Sequence, residues 1–357
     1  MQYLKLGPLK IPYQIQVNGT GKTFQIGRIK IPFSTYTSGG NKYYKLFFLR
    51  MKEPFFMKCR MTQHDANYQM RDHLDDEKIK EISTKIFKEK VGYVPDLDHP
   101  RSMNEKIFWM KLHYHNSLVT KCCDKFSVKE YVDEILGAGH TVPNLASWES
   151  AEDIDFSVLP KQYALKVNWS SGYNVIVKDK SKIDEEEIRK KVAYWMSPKQ
   201  NSYYQTFNWG YKNMKPVVYA EKYMEQCEGQ LYDYKFYCCN GIAKFLFIAT
   251  NRHVEGKLTY DFFDMDFNKL DFHYGGRAHS EMKLEKPRFF DEMVRSAELL
   301  SKPFPFVRVD FYETDDSYYV GEMTFYSGGG ILPFDPVEWD YKLGEYISIE
   351  EYSGEEE

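Results

Sequence analysis

Residues 306–325 read FVRVDFYETDDSYYVGEMTF, two alternating runs joined by the polar segment Glu313-Thr314-Asp315-Asp316-Ser317. Such alternation predicts a β-hairpin, because successive side chains of a strand point to opposite faces. Arg308 and Asp310 then share one face of the first strand, with Val307 and Val309 on the other. In the second strand Glu322 and Thr324 share a face, and the short connection brings Asp310 beside Glu322. Adjacent carboxylates repel, so this face calls for a cation or a raised pKa. Hard oxygen ligands suit Mg²⁺, which keeps several waters and shares phosphate oxygens with a nucleotide. Arg308 would clamp the same phosphate by charge-assisted hydrogen bonds. The plainer alternative is a solvated sheet face carrying a surface ion pair.

Upstream, strands alternate with helices from Pro143 onward. Strands are expected at Tyr163–Val167, 174–177 and 217–220, the last ending at Glu221, with the turn Ser170-Ser171-Gly172 between the first two. Lys166 ends an apolar strand just before that turn, where a lysine can reach phosphate while Ser171 and Gly172 offer backbone N–H groups. Glu221 could accept from an adenine amino group, or be an ordinary edge-strand Glu. Asn240-Gly241 predicts a hairpin between 233–239 and 244–250. Helices are expected at 184–195 and 289–301. Before Pro143 three more are expected. The first spans 75–91 with Ile79, Ile82, Ile86 and Val91 inward, and the second follows the capping-box pattern Ser102-x-x-Glu105. The third runs from Asp124 to Leu136 with Val128, Val132 and Ile135 inward, stopped by Gly137. Lys125 stands at its start, where anions are favoured.

Residues 1–60 are basic, rich in Gly and Pro, and weakly repetitive: Tyr3–Pro12, Phe24–Pro32 and Tyr44–Lys52 are related at a spacing of about 20 residues. Short alternating strands follow from this pattern, forming a small β-meander or a leader. Lysines and arginines beside apolar anchors could instead dock on an anionic membrane face.

The 357 residues suffice for a full core, and 48 basic against 52 acidic side chains argue against a general nucleic-acid binder. No apolar run approaches the ~20 residues of a membrane span, and Met1–Pro8 has no signal-peptide core. Six cysteines, at 59, 122, 123, 227, 238 and 239, form no CxxC pair. Free thiols and a cytoplasmic location are expected, with peripheral contact at the cytoplasmic membrane face if residues 1–60 dock there. His113, His115 and His140 make no defensible metal-ligand pair.

The run Lys121–Asp340 resembles the TupA-like ATP-grasp family of polysaccharide biosynthesis. The resemblance rests on Asp124-Lys125-Phe126-Ser127-Val128-Lys129-Glu130-Tyr131-Val132, Leu159-Pro160, and Ala164-Leu165-Lys166. It continues through Glu221-Lys222-Tyr223-Met224, 233–238, Lys286-Pro287, 308–312 and 321–325. Residues 100–120, with Asn104-Glu105-Lys106 and Trp109, look like that family's helical lead-in. The resemblance implies an α+β ATP-grasp fold in which two α+β lobes clamp ATP. The implied organisation is a basic N-terminal segment (1–60), a helical lead-in (61–120), an ATP-grasp domain (121–345) and an acidic tail (346–357). By position, Lys125 and Lys166 look like phosphate-contacting lysines. Glu221 looks like the adenine-contacting acid, with Tyr223 on the hinge and Glu228 at the ribose. Asp310 and Glu322 look like magnesium ligands, and Arg308 like the arginine that steadies the transferred phosphoryl group. Thr324 stands where most ATP-grasp enzymes carry a ligating Asn.

The activity so implied is ATP- and Mg²⁺-dependent ligation of a carboxylate to an amine through an acyl phosphate. One substrate would be a uronic-acid-containing cell-surface or capsular glycan, or its lipid-linked precursor, and the other an amino acid or other amine. Arg252, Arg277 and the aromatic stretch Tyr203–Tyr211 are candidates for holding the glycan, the stretch being otherwise a packed or mobile loop. Polysaccharide assembly machinery is a possible partner through residues 1–60. The rival reading is a glycosyltransferase using a sugar nucleotide, for which Asp264-Met265-Asp266 supplies a DxD pattern that also fits a hairpin turn.

Overall fold

A computed structural model describes residues 2–6, 9–18, 21–26, 29–38, 41–46, 49–52, 67, 68, 70–224, 232–250 and 258–352, those before residue 53 as backbone only. The chain divides into two units, 1–74 and 75–357.

The first unit is an antiparallel meander of β1 (Gln2–Leu6), β2 (Leu9–Asn18), β3 (Gly21–Ile26), β4 (Ile29–Ser38), β5 (Asn41–Leu46) and β6 (Leu49–Lys52), paired in chain order. The weak repeat is the period of this meander, since Leu4 pairs with Ile11, Phe24 with Ile31 and Tyr44 with Met51.

The second unit opens with α1 (Asp76–Val91), capped by Asp75, whose carboxylate accepts from Lys78 N at 2.8 Å. Its buried stripe is Ile79, Ser83 and Phe87. Ile82, Ile86 and Val91, expected inward, are only half-buried. In α2 (Met103–His113) the capping box forms as expected. The third helix begins later than expected. A short helix, α3 (Ser117–Cys123), precedes it, residues 124–127 make a turn, and α4 spans Val128–Leu136. Val128 and Val132 are buried there, but Ile135 is 43% exposed and does not join the core.

Two antiparallel sheets follow. The smaller contains β7 (Asn144–Trp148), β8 (Tyr163–Val167), β9 (Asn174–Val177) and β10 (Val218–Lys222), in the order β7-β10-β8-β9. Between β9 and β10 run α5 (Glu185–Trp195) and the single turn α6 (Tyr203–Thr206). The larger sheet contains β11 (Asp233–Cys239), β12 (Ile242–Thr250), β13 (Thr259–Asp264), β14 (Lys269–Leu270), β16 (Phe306–Glu313) and β17 (Tyr318–Thr324), in the order β14-β13-β12-β11-β16-β17. A two-stranded ribbon pairs β15 (His273–Tyr274) with β18 (Phe334–Asp335). The β11–β12 hairpin turns at Asn240 and Gly241, both at positive φ, as their sequence predicts.

The larger sheet buries one face under α7 (Phe290–Ser301): Phe236 meets Phe290 at 5.6 Å and Phe311 at 5.5 Å between ring centroids. Alternation turns Lys235, Arg308 and Asp310 to the opposite face. The described cysteines, Cys122, Cys123, Cys238 and Cys239, are buried free thiols. Among the described residues no helix is long and apolar enough to cross a membrane.

After β17 the chain enters Gly328-Gly329-Gly330 with φ of +58°, +68° and +65°, a left-handed run that favours glycine. Gly330 also lies on the backbone of α2, where an added Cβ would be 3.0 Å from Asn104 O and Phe108 N. Nearby, Asp340 of α8 (Glu338–Gly344) accepts from Asn104 N at 2.8 Å and Asn104 Nδ2 at 2.9 Å. These contacts tie the end of the hairpin to the lead-in helix. Gly330→Ala should therefore destabilise the fold by about 1–3 kcal/mol, the cost of a strained backbone position. Urea unfolding should show a lowered midpoint, and an unchanged midpoint would contradict the packing.

Candidate active site

The site is built around the turn before α4. Asp124 organises it: Oδ1 accepts from Phe126 N at 2.7 Å and Ser127 N at 3.2 Å, and Oδ2 accepts from Asn168 Nδ2 at 2.7 Å. Asn168, fully buried, also bonds Lys215 O and Val217 N, and its carbonyl accepts from Lys125 N at 3.0 Å. Burial raises the Asp124 pKa against these hydrogen bonds. The turn is thereby locked to the smaller sheet.

From this turn two lysines reach different sheets. Lys125 Nζ pairs with Glu322 of β17 at 3.3 Å. Lys129, four residues on, pairs with Glu221 of β10 at 2.6 Å and also donates to Val142 O and Asn144 Oδ1. Burial pulls the Lys129 pKa down, and Glu221 opposes that pull. The second oxygen of Glu221 is taken by Lys166. Lys166 is the cross-strand partner of Tyr219, so it lies diagonal to Glu221 on the same face. Lys166 and Glu221, assigned from sequence to the phosphate and adenine ends of a nucleotide, are thus in direct contact.

On the larger sheet the register pairs Asp310 with Glu322 across β16–β17, and Asp310 with Lys235 across β16–β11. Arg308 clasps Asp310 through two bonds, Nε to Oδ1 at 2.6 Å and Nη2 to Oδ2 at 2.7 Å. Lys235 also holds Asp310 and lies 3.4 Å from Asp233. Thr324 bridges the network, accepting from Arg308 Nη2 at 3.0 Å and donating to Glu322 Oε1 at 2.7 Å. Ser327 Oγ accepts from Arg308 Nη1 at 3.3 Å and meets the Tyr237 hydroxyl at 2.8 Å. Burial works against the charge on Glu322, but Lys125, Arg308 and Lys235 outweigh it and bring its pKa from 4.5 to about 2.

The remaining assigned residues fall at the edges. Ser171 and Gly172 form the exposed tip of the β8–β9 turn, with Gly172 at φ +80°. Tyr223 follows β10 directly and is half-buried. Glu228 and Arg252 lie outside the described residues. Arg277 is exposed beside β15. Tyr203, Phe207 and Tyr211 are buried, so the aromatic stretch packs rather than swinging free. His113 and His115 are ring partners of Trp109 and Trp209, and His140 lies against Tyr318. The DxD pattern is a turn: Asp264 Oδ1 accepts from Asp266 N at 3.0 Å and Asn268 N at 2.8 Å.

Lys129, Lys235, Ser327 and Asn168 had no role in the sequence reading. Two of them carried a signal. Lys129 is four residues beyond Lys125, on a segment that becomes helical. Lys235 alternates with Asp233 along its strand and faces the acid strand.

Chemically, the arrangement gathers five cations (Lys125, Lys129, Lys166, Lys235 and Arg308) against Glu221, Asp310 and Glu322. Two paired carboxylates with a neighbouring hydroxyl fit Mg²⁺, which is bound by one or two carboxylates and completes its shell with water and phosphate oxygens. Among the described residues no larger group of His, Cys, Asp and Glu could hold a metal. A carboxylate with a depressed pKa stabilises the fold above its ordinary pKa, and that contribution is lost as pH falls through the depressed value. Wild-type stability should therefore drop between pH 4.5 and about 2. Glu322→Gln should flatten that part of the curve, read from denaturant midpoints against pH, and parallel curves would refute the network.

The family model of TupA-like ATPgrasp matches residues 105–348. No curated protein matches the chain. Among solved structures the chain is similar to D-alanine–D-alanine ligase from Bacillus anthracis complexed with ATP, at 15% identity over 57% of this chain and 54% of that one, TM-score 0.34. It is also similar to N5-carboxyaminoimidazole synthase from Aspergillus clavatus in complex with ADP and its ribonucleotide, at 11% identity over 71% and 50%, TM-score 0.35. Cdc123 from Schizosaccharomyces pombe aligns at 8% identity over 66% and 94%, TM-score 0.36. The chain spans about half the length of the two enzymes.

Proposed function

The chain belongs to the TupA-like ATP-grasp family, and on that premise we propose that it is an ATP- and Mg²⁺-dependent carboxylate–amine ligase. The observation that carries this reading is the ring of lysines and Arg308 closing on Glu221, Asp310 and Glu322 between two sheets. Phosphoryl transfer needs positioning and charge neutralisation more than covalent help from the protein. Lys125, Lys166, Lys235 and Arg308 supply fixed positive charge where a triphosphate would bring negative charge. Asp310 and Glu322 would hold Mg²⁺, which when bound neutralises phosphate oxygens. A triphosphate would compete for Arg308 and Lys235, freeing Asp310 from its clasp.

In the reaction, a carboxylate oxygen of one substrate attacks the γ-phosphorus of ATP, giving an acyl phosphate and ADP. An amine then attacks the acyl carbon, an amide bond forms, and phosphate leaves. No nucleophilic Ser or Cys is required, in keeping with the buried state of Cys122, Cys123, Cys238 and Cys239. The glycan is read as a uronic-acid polysaccharide or its lipid-linked precursor, and the amine as an amino acid or related compound. The family resemblance supports both. The slight acidic balance of the chain supports a partner other than nucleic acid.

The test is ADP release with ATP, Mg²⁺, uronic-acid acceptors and mixed amino acids. ADP should form only when a carboxylate and an amine are both present. Asp310→Asn should lower the rate at least ~100-fold, the scale of losing one preorganised electrostatic group. Turnover of a sugar nucleotide without ATP would overturn this reading in favour of a glycosyltransferase.

Residues 1–60 are read as a peripheral contact with the cytoplasmic membrane face or with polysaccharide assembly machinery, supported by their basic character. Deleting them should shift the protein from the membrane fraction to the supernatant. Unchanged fractionation would remove the docking role.

A further inference from the structure

The aromatic stretch Tyr203–Tyr211 does more than fill space. Beside it opens a cleft of about 600 Å³, lined by α1, the end of α2 and the segment 203–212. That volume falls within the ordinary range of small-molecule sites, about 300–1,000 Å³. One wall is a flat double ring: His115 and Trp209 stack at 4.7 Å with planes 11° apart. Lys80, Lys111 and Lys212, from three different elements, line the cleft, and Asp76 and Glu77 lie at its α1 edge. The Lys111 ammonium lies 5.1 Å from the centre of the buried Phe108 ring. The Lys212 ammonium lies 5.7 Å from the centre of the Tyr203 ring.

We propose that this cleft binds the acidic saccharide acceptor. The inference rests on the ligase reading above and gives the non-reacting residues of the saccharide a seat apart from the nucleotide. Ring faces suit the C–H face of a pyranose, being broad, rigid and apolar with polar edges. Carboxylate oxygens accept sugar hydroxyls, and ammonium groups donate to hydroxyls and neutralise a uronate. A lining of rings, two acids and three lysines, with one positive charge in excess, matches a ligand that is at once flat, hydroxylated and negatively charged.

The cleft is joined to the charged site through a short path. Gly210, next to Trp209, donates its N–H to the Tyr326 hydroxyl at 3.1 Å. A Cβ at Gly210 would come within 2.8 Å of Cys123 Sγ, so the segment lies directly on α3. Tyr326 precedes Ser327, which holds Arg308. The segment that carries Trp209 is thus tied, through Tyr326 and Ser327, to Arg308.

The experiment titrates the full chain with trigalacturonate by calorimetry, without nucleotide, and records in parallel the rise in melting temperature on adding Mg²⁺ and ATP. Saturable trigalacturonate binding is expected, at least tenfold weaker in Trp209→Ala and in Lys80→Glu, with the nucleotide-induced rise kept in both. Lys80 is exposed, so its variant keeps the test valid if Trp209→Ala fails to fold. Neutral maltotriose should bind at least tenfold more weakly than trigalacturonate. Equal affinity in wild type and Lys80→Glu, equal binding of maltotriose, or no trigalacturonate binding by the wild type would each overturn the assignment. Absence of a nucleotide-induced rise in the wild type would instead overturn the ligase reading, leaving the saccharide titration to judge the cleft separately.

Discussion

Lys125 and Lys129 lie four residues apart, one in the turn before α4 and one in its first turn, and they serve different sheets. Lys125 holds Glu322 of the larger sheet and Lys129 holds Glu221 of the smaller one. The segment 124–129 is therefore a charged pin between two sheets that share no strand. Its geometry depends on Asp124 and Asn168, whose hydrogen bonds hold the turn before helix α4 starts. Breaking a buried ion pair by removing one partner costs about 3–5 kcal/mol, because the other charge is stranded. The same pairs that draw the sheets together are the ones an incoming polyanion would rearrange.

On the larger sheet the acids are neutralised in place. Asp310 is clasped by Arg308 and Lys235, and Glu322 by Lys125 and the Thr324 bridge. A carboxylate pair left bare in this position would shed one charge by protonation. The surrounding cations instead hold Glu322 ionised far below neutral pH. The five cations outnumber the three carboxylates, so a triphosphate would meet an excess of fixed positive charge, the electrostatic stabilisation that phosphoryl transfer demands.

Much of the frame was legible in order. The Asn240-Gly241 turn, the capping box at Ser102, the helix stop at Gly137 and the Asp310–Glu322 pairing all followed from local rules. Local periodicity failed where a helix is covered on an unexpected side. In α1 the core takes Ser83 and Phe87 rather than Ile82 and Ile86, because the apolar positions fill more of the circumference than the neighbouring elements cover. Ile135 reads as inward by spacing, yet in the last turn of α4 it stays 43% exposed. Helix α3 was missed because seven residues carry too short a periodic signal.

Strand alternation, turn chemistry and capping act between residues close in sequence, so they put Arg308, Asp310, Glu322 and Thr324 on shared faces without reference to the rest of the chain. The choice of partners is another matter. That Lys129 rather than Lys125 meets Glu221, that Lys166 shares it, and that Lys235 crosses to Asp310 depend on strand order β7-β10-β8-β9 and β14-β13-β12-β11-β16-β17. Coulomb attraction names no partner across the 75 residues between Lys235 and Asp310 or the 92 between Lys129 and Glu221. It acts over a few ångströms, and hydrophobic burial of the sheet faces sets which charges come within that reach.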